Sequence, residues 1–152
     1  MDEQEVYRHI GKVFVDLMED ADLVPLLKRA NTIVQYRLHD PDAQFTVKIL
    51  EDEERQVDLG PTDLKPEVVM TMAADTAHLF WLEKLNPTVA LARGEIKAKG
   101  PVEKILQLVP LVKPVFPRYK THLEEAGRHD LIEAAEKAVA AGRGRHRNVR
   151  GY

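Results

Sequence analysis

The feature that most constrains this fold is a period of two in the apolar residues between positions 34 and 72. Successive side chains of an extended strand point to opposite faces, so a segment with this period fits a strand that is buried on one face only. Three segments show the alternation: Val34–Leu38, Phe45–Ile49 and Val68–Met72. They predict a sheet with one apolar face, which other elements must cover.

Turn-forming residues indicate how the strands connect. His39–Asp42 contains Asp-Pro-Asp after the first strand, and the acidic run Glu51–Glu54 separates the second strand from a third at Arg55–Leu59. The first three strands are therefore predicted to form an antiparallel meander. A fifth strand is predicted at Glu95–Lys99.

The flanking segments have the spacing of helices. A helix over residues 2–19 is predicted by apolar residues that fall on one face, namely Val6, Ile10, Val13, Phe14 and Leu17. A shorter helix is expected over 22–28 with Asp22 at its N-cap. Further helices are expected over 75–85, 87–92, 119–126 and 129–141. Residues 101–116 are apolar on too many sides for a one-faced helix, and their prolines interrupt any helix there.

The composition argues against an enzyme. The chain contains neither cysteine nor serine, so disulfides, thiolate metal sites and two of the commonest nucleophiles are excluded. Its six histidines show no HxH or HExxH spacing, which argues against a zinc site. We therefore expect no catalytic activity, no metal and no cofactor.

The charge of the chain is unevenly distributed. Residues 1–142 have 18 basic against 25 acidic groups, a formal charge of −7, which argues against specific binding of nucleic acid. Residues 143–152 contain no acidic residue and are predicted to be a basic flexible tail. The arginines expected to contact anionic membranes transiently are Arg143, Arg145, Arg147 and Arg150. The first residues are acidic and polar, and no apolar run approaches the roughly 18 to 20 residues of a membrane span, so we expect a cytoplasmic protein.

Residues 67–109 resemble the sterol carrier protein 2 family, also called non-specific lipid-transfer proteins. The resemblance rests on the strand Val68–Met72, the Leu85-Asn86-Pro87 turn, Gly94 and the segment Ile96–Gly100. With the preceding strands, the resemblance extends over residues 30–112. The fold it implies is α+β, with a five-stranded, mainly antiparallel sheet covered on one face by helices, and with extra helices at both termini.

The resemblance also implies a function, the binding of a lipid, fatty acyl, sterol-like or isoprenoid ligand in an internal hydrophobic tunnel, for carriage or presentation. Methionine suits surfaces that accept ligands of varied shape. The side chains expected to line the tunnel are Met70, Met72, Phe80, Leu85, Ile105, Leu106 and Val109. The Pro-interrupted run 108–117 either caps an open tunnel or fills it.

The domain organisation follows from these points. We expect one lipid-carrier-like domain over residues 1–142, with its core at about 30–112, followed by the basic tail. The alternative is a non-catalytic accessory protein that uses the same fold for dimerisation or partner docking. A homodimer that buries Val6, Ile10 and Val13 would favour that alternative.

Overall fold

The structure, a computed structural model, describes residues 1–142. The predicted basic tail and its four arginines lie outside the described residues. No helix within the described range is both long and apolar enough to cross a membrane.

A five-stranded mixed sheet forms the centre of the fold. Its strands are β1 (Thr32–His39), β2 (Ala43–Ile49), β3 (Gln56–Leu59), β4 (Val68–Ala73) and β5 (Ile96–Lys99). Their order across the sheet is β3-β2-β1-β4-β5. The β1–β2, β2–β3 and β4–β5 pairs are antiparallel, and β1 and β4 are parallel. The predicted meander and the α+β fold with a mainly antiparallel sheet are therefore confirmed.

The register gives the sheet two faces of different chemistry. One row of paired residues, Leu59, Phe45, Tyr36, Met70 and Ala98, runs across all five strands on the apolar face. The next row, on the opposite face, contains Gln35, Thr46 and Val69. There the Gln35 amide donates to the hydroxyl of Thr46 at 3.0 Å. Only the apolar face therefore needs cover, as the period of two predicts.

Helices cover that apolar face. The α-helices are α1 (Glu3–Glu19), α2 (Val24–Leu27), α3 (Ala74–Trp81), α4 (Pro87–Ala92), α5 (Glu103–Leu106), α6 (Val115–Glu125) and α7 (His129–Ala140). Short 3₁₀ helices follow at Lys28–Ala30 and Val109–Val112. A capping box in which Asp2 and Glu5 satisfy each other's backbone N–H groups begins α1.

The apolar stripe of α1 packs inside its own chain. Val6 and Ile10 are 0% exposed and Val13 is 4% exposed. These side chains are therefore not available for the dimer interface that would have favoured the accessory-protein alternative.

Two predicted helix boundaries also need correction. Asp22 does not cap α2: the N-cap is Leu23, without a side-chain capping bond, and the Asp20 carboxylate accepts from the backbone N–H groups of Asp22 and Leu23 in the turn before it. Helix α3 ends at Trp81 rather than at residue 85, since Glu83 adopts a left-handed conformation with φ 61° that reverses the chain.

Gly100 fixes the end of β5 against the start of β4. Its φ is +86°, and a Cβ at this position would lie 2.1 Å from the carbonyl oxygen of Glu67. Only glycine fits so close an approach of two backbones. This contact places the segment that follows β5 beside the covered face of the sheet.

Candidate ligand-binding cavity

An internal cavity lies between the sheet and the helices. Alternate residues of four strands form its floor, because the period of two puts them on the same face. The floor residues are Val34, Tyr36, Leu38, Phe45, Val47, Ile49, Met70, Met72 and Ile96. All but Tyr36 are buried apolar side chains.

Four helical segments form the walls. The second half of α1 covers the β2 side, with Leu27 of α2 beside it, and α3 covers the β4 side. The remaining wall is the segment 103–112, which consists of the one-turn helix α5 and the 3₁₀ turn Val109–Val112. The wall residues from α1 and from this segment are Ile10, Phe14, Leu17, Met18, Ile105, Leu106, Leu108, Val109 and Val112.

The aromatic side chains of the cavity lie close to one another. The ring of Phe14 stacks on Phe45 with centroids 4.9 Å apart, and it lies 5.0 Å from Tyr36 and 5.8 Å from Trp81. Phe116 of α6 contacts Trp81 from behind, at 5.9 Å. Rings in such offset and edge-to-face contacts hold one another in place. The α1 and α3 walls therefore have a fixed shape.

The cavity has a volume of about 100 Å³ and reaches the surface along one side. Three lining side chains remain half-buried rather than buried on the helical walls, namely Phe80, Leu106 and Val109. They stand on α3 and on the segment 103–112. The mouth of the cavity therefore lies between these two elements.

Nearly every lining atom is apolar. Within residues 1–142 the lining contains no carboxylate, imidazole, amine or guanidinium group. Tyr36 and Trp81 are the lining side chains that carry a polar atom. Burial raises the pKa of the Tyr36 phenol well above its usual range, so this group is neutral. The arrangement suits an uncharged hydrocarbon and offers no set of groups for acid–base or nucleophilic chemistry.

The structure brings six of the seven predicted site residues together. Met70 and Met72 belong to the floor, Phe80 to the α3 wall, and Ile105, Leu106 and Val109 to the wall 103–112. Leu85 is 1% exposed but is not among the side chains that line the cavity. It follows the reversal at Glu83, which takes it away from the face of α3 that contains Phe80. That these residues bind a lipid remains a prediction.

Sequence reasoning missed the contribution of α1 and of β1 and β2. The apolar stripe of α1 and the alternation of the two strands were both visible, but every side chain expected to line the tunnel lay between Met70 and Val109. Pairing of β1 with β4 in parallel places Tyr36 beside Met70. The local patterns of α1, β1 and β2 were therefore visible in the sequence, but the pairing of distant strands that joins them to the cavity was not.

A cluster of hydrogen-bonded side chains lies behind the α3 wall, outside the cavity. The Nε2 atom of His78 donates to the carbonyl of Leu131 at 2.8 Å, which leaves Nδ1 to accept from the hydroxyl of Tyr119 at 2.7 Å. Burial lowers the pKa of His78, so it is neutral in this arrangement. The bonds join α3 to α6 and α7.

His9 and His122 form a further contact between α1 and α6, with Nδ1 of His9 2.8 Å from Nε2 of His122. No group of three or more histidine, aspartate or glutamate side chains in the described part of the chain is placed to hold a metal ion.

Comparison with known proteins gives a family and a fold. The model of the SCP-2 sterol transfer family matches residues 13–113. No curated protein matches the chain. Sterol carrier protein 2 from Yarrowia lipolytica, in its apo form, has a TM-score of 0.58 at 19% identity over 70% of this chain and 88% of that chain.

Two insect structures are similar to the same extent. The sterol carrier protein domain 2 of Helicoverpa armigera gives a TM-score of 0.58 at 18% identity over 74% of this chain and 88% of that chain. Sterol carrier protein 2 like 2 from Aedes aegypti gives 0.53 at 17% identity over 70% of this chain and 95% of that chain. At these identities the solved structures establish the fold.

Proposed function

Because this chain belongs to the SCP-2 sterol transfer family, we propose that it binds an apolar ligand in the cavity between its sheet and its helices and carries or presents that ligand. The ligand class is a lipid, a fatty acyl chain, a sterol-like molecule or an isoprenoid. The observation that carries the proposal is the continuous apolar lining, which within the described residues contains no charged side chain.

Binding of such a ligand requires the cavity to expand. Pockets for small molecules enclose about 300–1,000 Å³, whereas this cavity has about 100 Å³. Most of the walls are held by the aromatic contacts of Phe14 and Trp81. The segment 103–112 is built differently, from two single turns with Pro110 in the second. Single turns are less cooperative than long helices, so we propose that this wall is the part that moves.

The energy of binding comes from burial of hydrocarbon. Each methylene group transferred from water is worth about 0.8 kcal/mol, so a dozen give about 10 kcal/mol before the costs of association and ordering. No charged partner is needed for micromolar affinity. Affinity should therefore rise with chain length until the expanded cavity is full.

The proposal includes no covalent step. A reacting group would have to meet a nucleophile, an acid or a base, and the described lining offers only the neutral Tyr36 phenol and the Trp81 indole. We therefore propose a carrier rather than an enzyme.

The first test is to look for a bound molecule. The purified chain is analysed by native mass spectrometry and by organic extraction, and we expect an apolar passenger. The second test titrates saturated fatty acids from octanoate to octadecanoate, a range of about ten methylene groups, against the emission of Trp81. Affinity that does not change with chain length would contradict burial in this cavity.

A further inference from the structure

The cavity contains a hydroxyl group that has no hydrogen-bond partner within residues 1–142. Tyr36 lies on β1, the central strand, and its side chain is on the floor of the cavity. Its hydroxyl makes no hydrogen bond with any described residue, and neither does the indole N–H of Trp81. By contrast the Tyr119 hydroxyl bonds to His78, and the Tyr7 hydroxyl accepts from the backbone N–H of Gln44 at 3.1 Å.

The free surface of Tyr36 faces the cavity. The Tyr36 hydroxyl is not among the fully buried side-chain polar atoms that lack a partner in the described part of the chain, so it still has accessible surface. The strand is flanked by β2 and β4, and its covered face is packed against helices, with the Phe14 ring 5.0 Å from the Tyr36 ring. The space that remains for this surface is the cavity itself.

A hydroxyl in such a place favours one kind of ligand. A phenol both donates and accepts a hydrogen bond, and leaving it without a partner away from water is unfavourable. A ligand atom that bonds to it therefore adds affinity, whereas plain hydrocarbon leaves it unsatisfied. An ionised ligand group at the same depth would meet no opposite charge from the described lining.

We propose that Tyr36 is a specificity-determining residue, which selects apolar ligands carrying a neutral oxygen function, a hydroxyl, ketone or ester, within their hydrocarbon part. This inference deepens the proposed function and rests on it. The Trp81 N–H is a second donor on the α3 wall, on another side of Phe14. Because the Tyr36 hydroxyl and the Trp81 N–H can both donate a hydrogen bond, they favour a ligand oxygen that accepts one.

The test compares matched ligands on matched variants. Octadecanoate is compared with octadecanoates that carry a hydroxyl or a keto group at successive positions along the chain, on the wild-type protein, Tyr36→Phe and Tyr7→Phe. The Tyr7 variant is the control, because it removes a phenol hydroxyl that is outside the cavity. Affinities are measured by isothermal titration calorimetry, so that Trp81 fluorescence is not needed.

We expect the wild-type protein to prefer the oxygenated chain for at least one position of the oxygen. Tyr36→Phe should lower that preference about 3- to 10-fold, the range expected for one hydrogen bond, and Tyr7→Phe should leave it unchanged. The infrared carbonyl band of the bound keto chain should move to higher frequency in Tyr36→Phe, which a merely structural role of Tyr36 would not cause.

Other outcomes separate this inference from the proposed function. Equal preference in the wild-type protein and Tyr36→Phe at every oxygen position, with all chains bound, overturns the role of Tyr36 and leaves the carrier function intact. Failure of the wild-type protein to bind any of the chains overturns both.

Discussion

The cavity and the helical cluster behind it differ in the interactions that hold them together. The cavity is lined by apolar side chains with almost no hydrogen bond among them, and one wall consists of single turns. The helical cluster, which we define as α6, α7 and the faces of α1 and α3 that they contact, is joined by buried polar side chains. At its edge Arg128 bonds to both Glu5 and Asp130.

The difference shows how a small domain can contain an unfilled space. A cavity forfeits packing energy because its lining atoms have no partners on one side. Here the tightly packed side chains Leu123 and Tyr119, 0% and 1% exposed, lie on the side away from the mouth. This contrast leads us to expect that stability is concentrated in the helical cluster, and it agrees with the proposal that the segment 103–112 is the wall that moves.

The largest expected effect is on packing in the cluster. Leu123→Ala should lower the free energy of unfolding by about 2–5 kcal/mol, because it creates a cavity where neighbours are fixed. Leu106→Ala, at the half-buried mouth, should cost only about 1 kcal/mol and should alter affinity for acyl chains instead. Urea unfolding and ligand titration measure the two quantities. Equal losses of stability would contradict the comparison.

The next effect concerns added volume. Ala135 on α7 is 2% exposed, and Ala77 on α3 is 5% exposed and borders the cavity. Ala135→Leu should cost about 1–3 kcal/mol through overpacking, with no effect on affinity. Ala77→Leu should be tolerated, because its new methyl groups enter existing space, and should weaken binding of long chains. The same two measurements apply, and destabilisation by Ala77→Leu as large as that by Ala135→Leu would indicate a filled core.

The same contrast explains what could be predicted from sequence. Strands and the α1 helix are local patterns, so the alternation at 34–38 and the stripe ending at Leu17 located them correctly. Six of the seven residues predicted from the resemblance in residues 67–109 and from these patterns do line the cavity. Leu85 did not, because one left-handed residue, Glu83, ends α3 early, and sequence periodicity continues past it.

The helices of the cluster were predicted, but the bonds that join them could not be. These bonds join residues far apart in sequence, 113 positions for His9 and His122 and 41 for His78 and Tyr119. A lone histidine in a helical pattern gives no sign of its partner. Whether residues 108–117 cap or fill the tunnel could not be predicted either, because it depends on non-local contacts. In the structure Leu108, Val109 and Val112 line the cavity, whereas Val115 and Phe116 are buried in α6.

A third prediction compares the two buried tyrosines. Tyr119→Phe should cost about 1–3 kcal/mol, because it leaves Nδ1 of His78 buried without a donor. Tyr36→Phe should leave the free energy of unfolding unchanged or raise it, since the lost hydroxyl has no partner in the described chain. Denaturant unfolding of both variants without ligand checks this. An equal loss of unfolding free energy in the two variants would show that the Tyr36 hydroxyl makes a stabilising hydrogen bond.

The smallest effect is expected from pH. Burial lowers the pKa of His9, and the neighbouring His122 lowers it further; burial, with Lys12, also lowers the pKa of His122. In the unfolded chain both titrate near pH 6.5. Below that pH the unfolded chain therefore takes up protons that the folded chain resists, and the free energy of unfolding should fall as the pH is lowered from about 7 to 5.

His122→Gln should reduce this dependence on pH, because it removes one titrating group and its repulsion of protonated His9. Other charged groups face the pair: Glu5, Arg8, Lys12, Asp16, Glu125 and Arg128. The stabilisation from Glu5, whose pKa is lowered by a backbone bond from Asp2 and by Arg128, is lost only in more acid solution, below its usual 4.5. Midpoints of urea unfolding between pH 5 and 7 report on the histidines, including buried His78, whose lowered pKa acts in the same direction and which His122→Gln leaves in place. Ligand affinity should not change as these histidines are protonated, because neither the His9 nor the His122 imidazole borders the cavity. The contradicting result is an affinity that falls together with stability in the wild-type protein but not in His122→Gln. That result would show that the helical cluster controls the cavity.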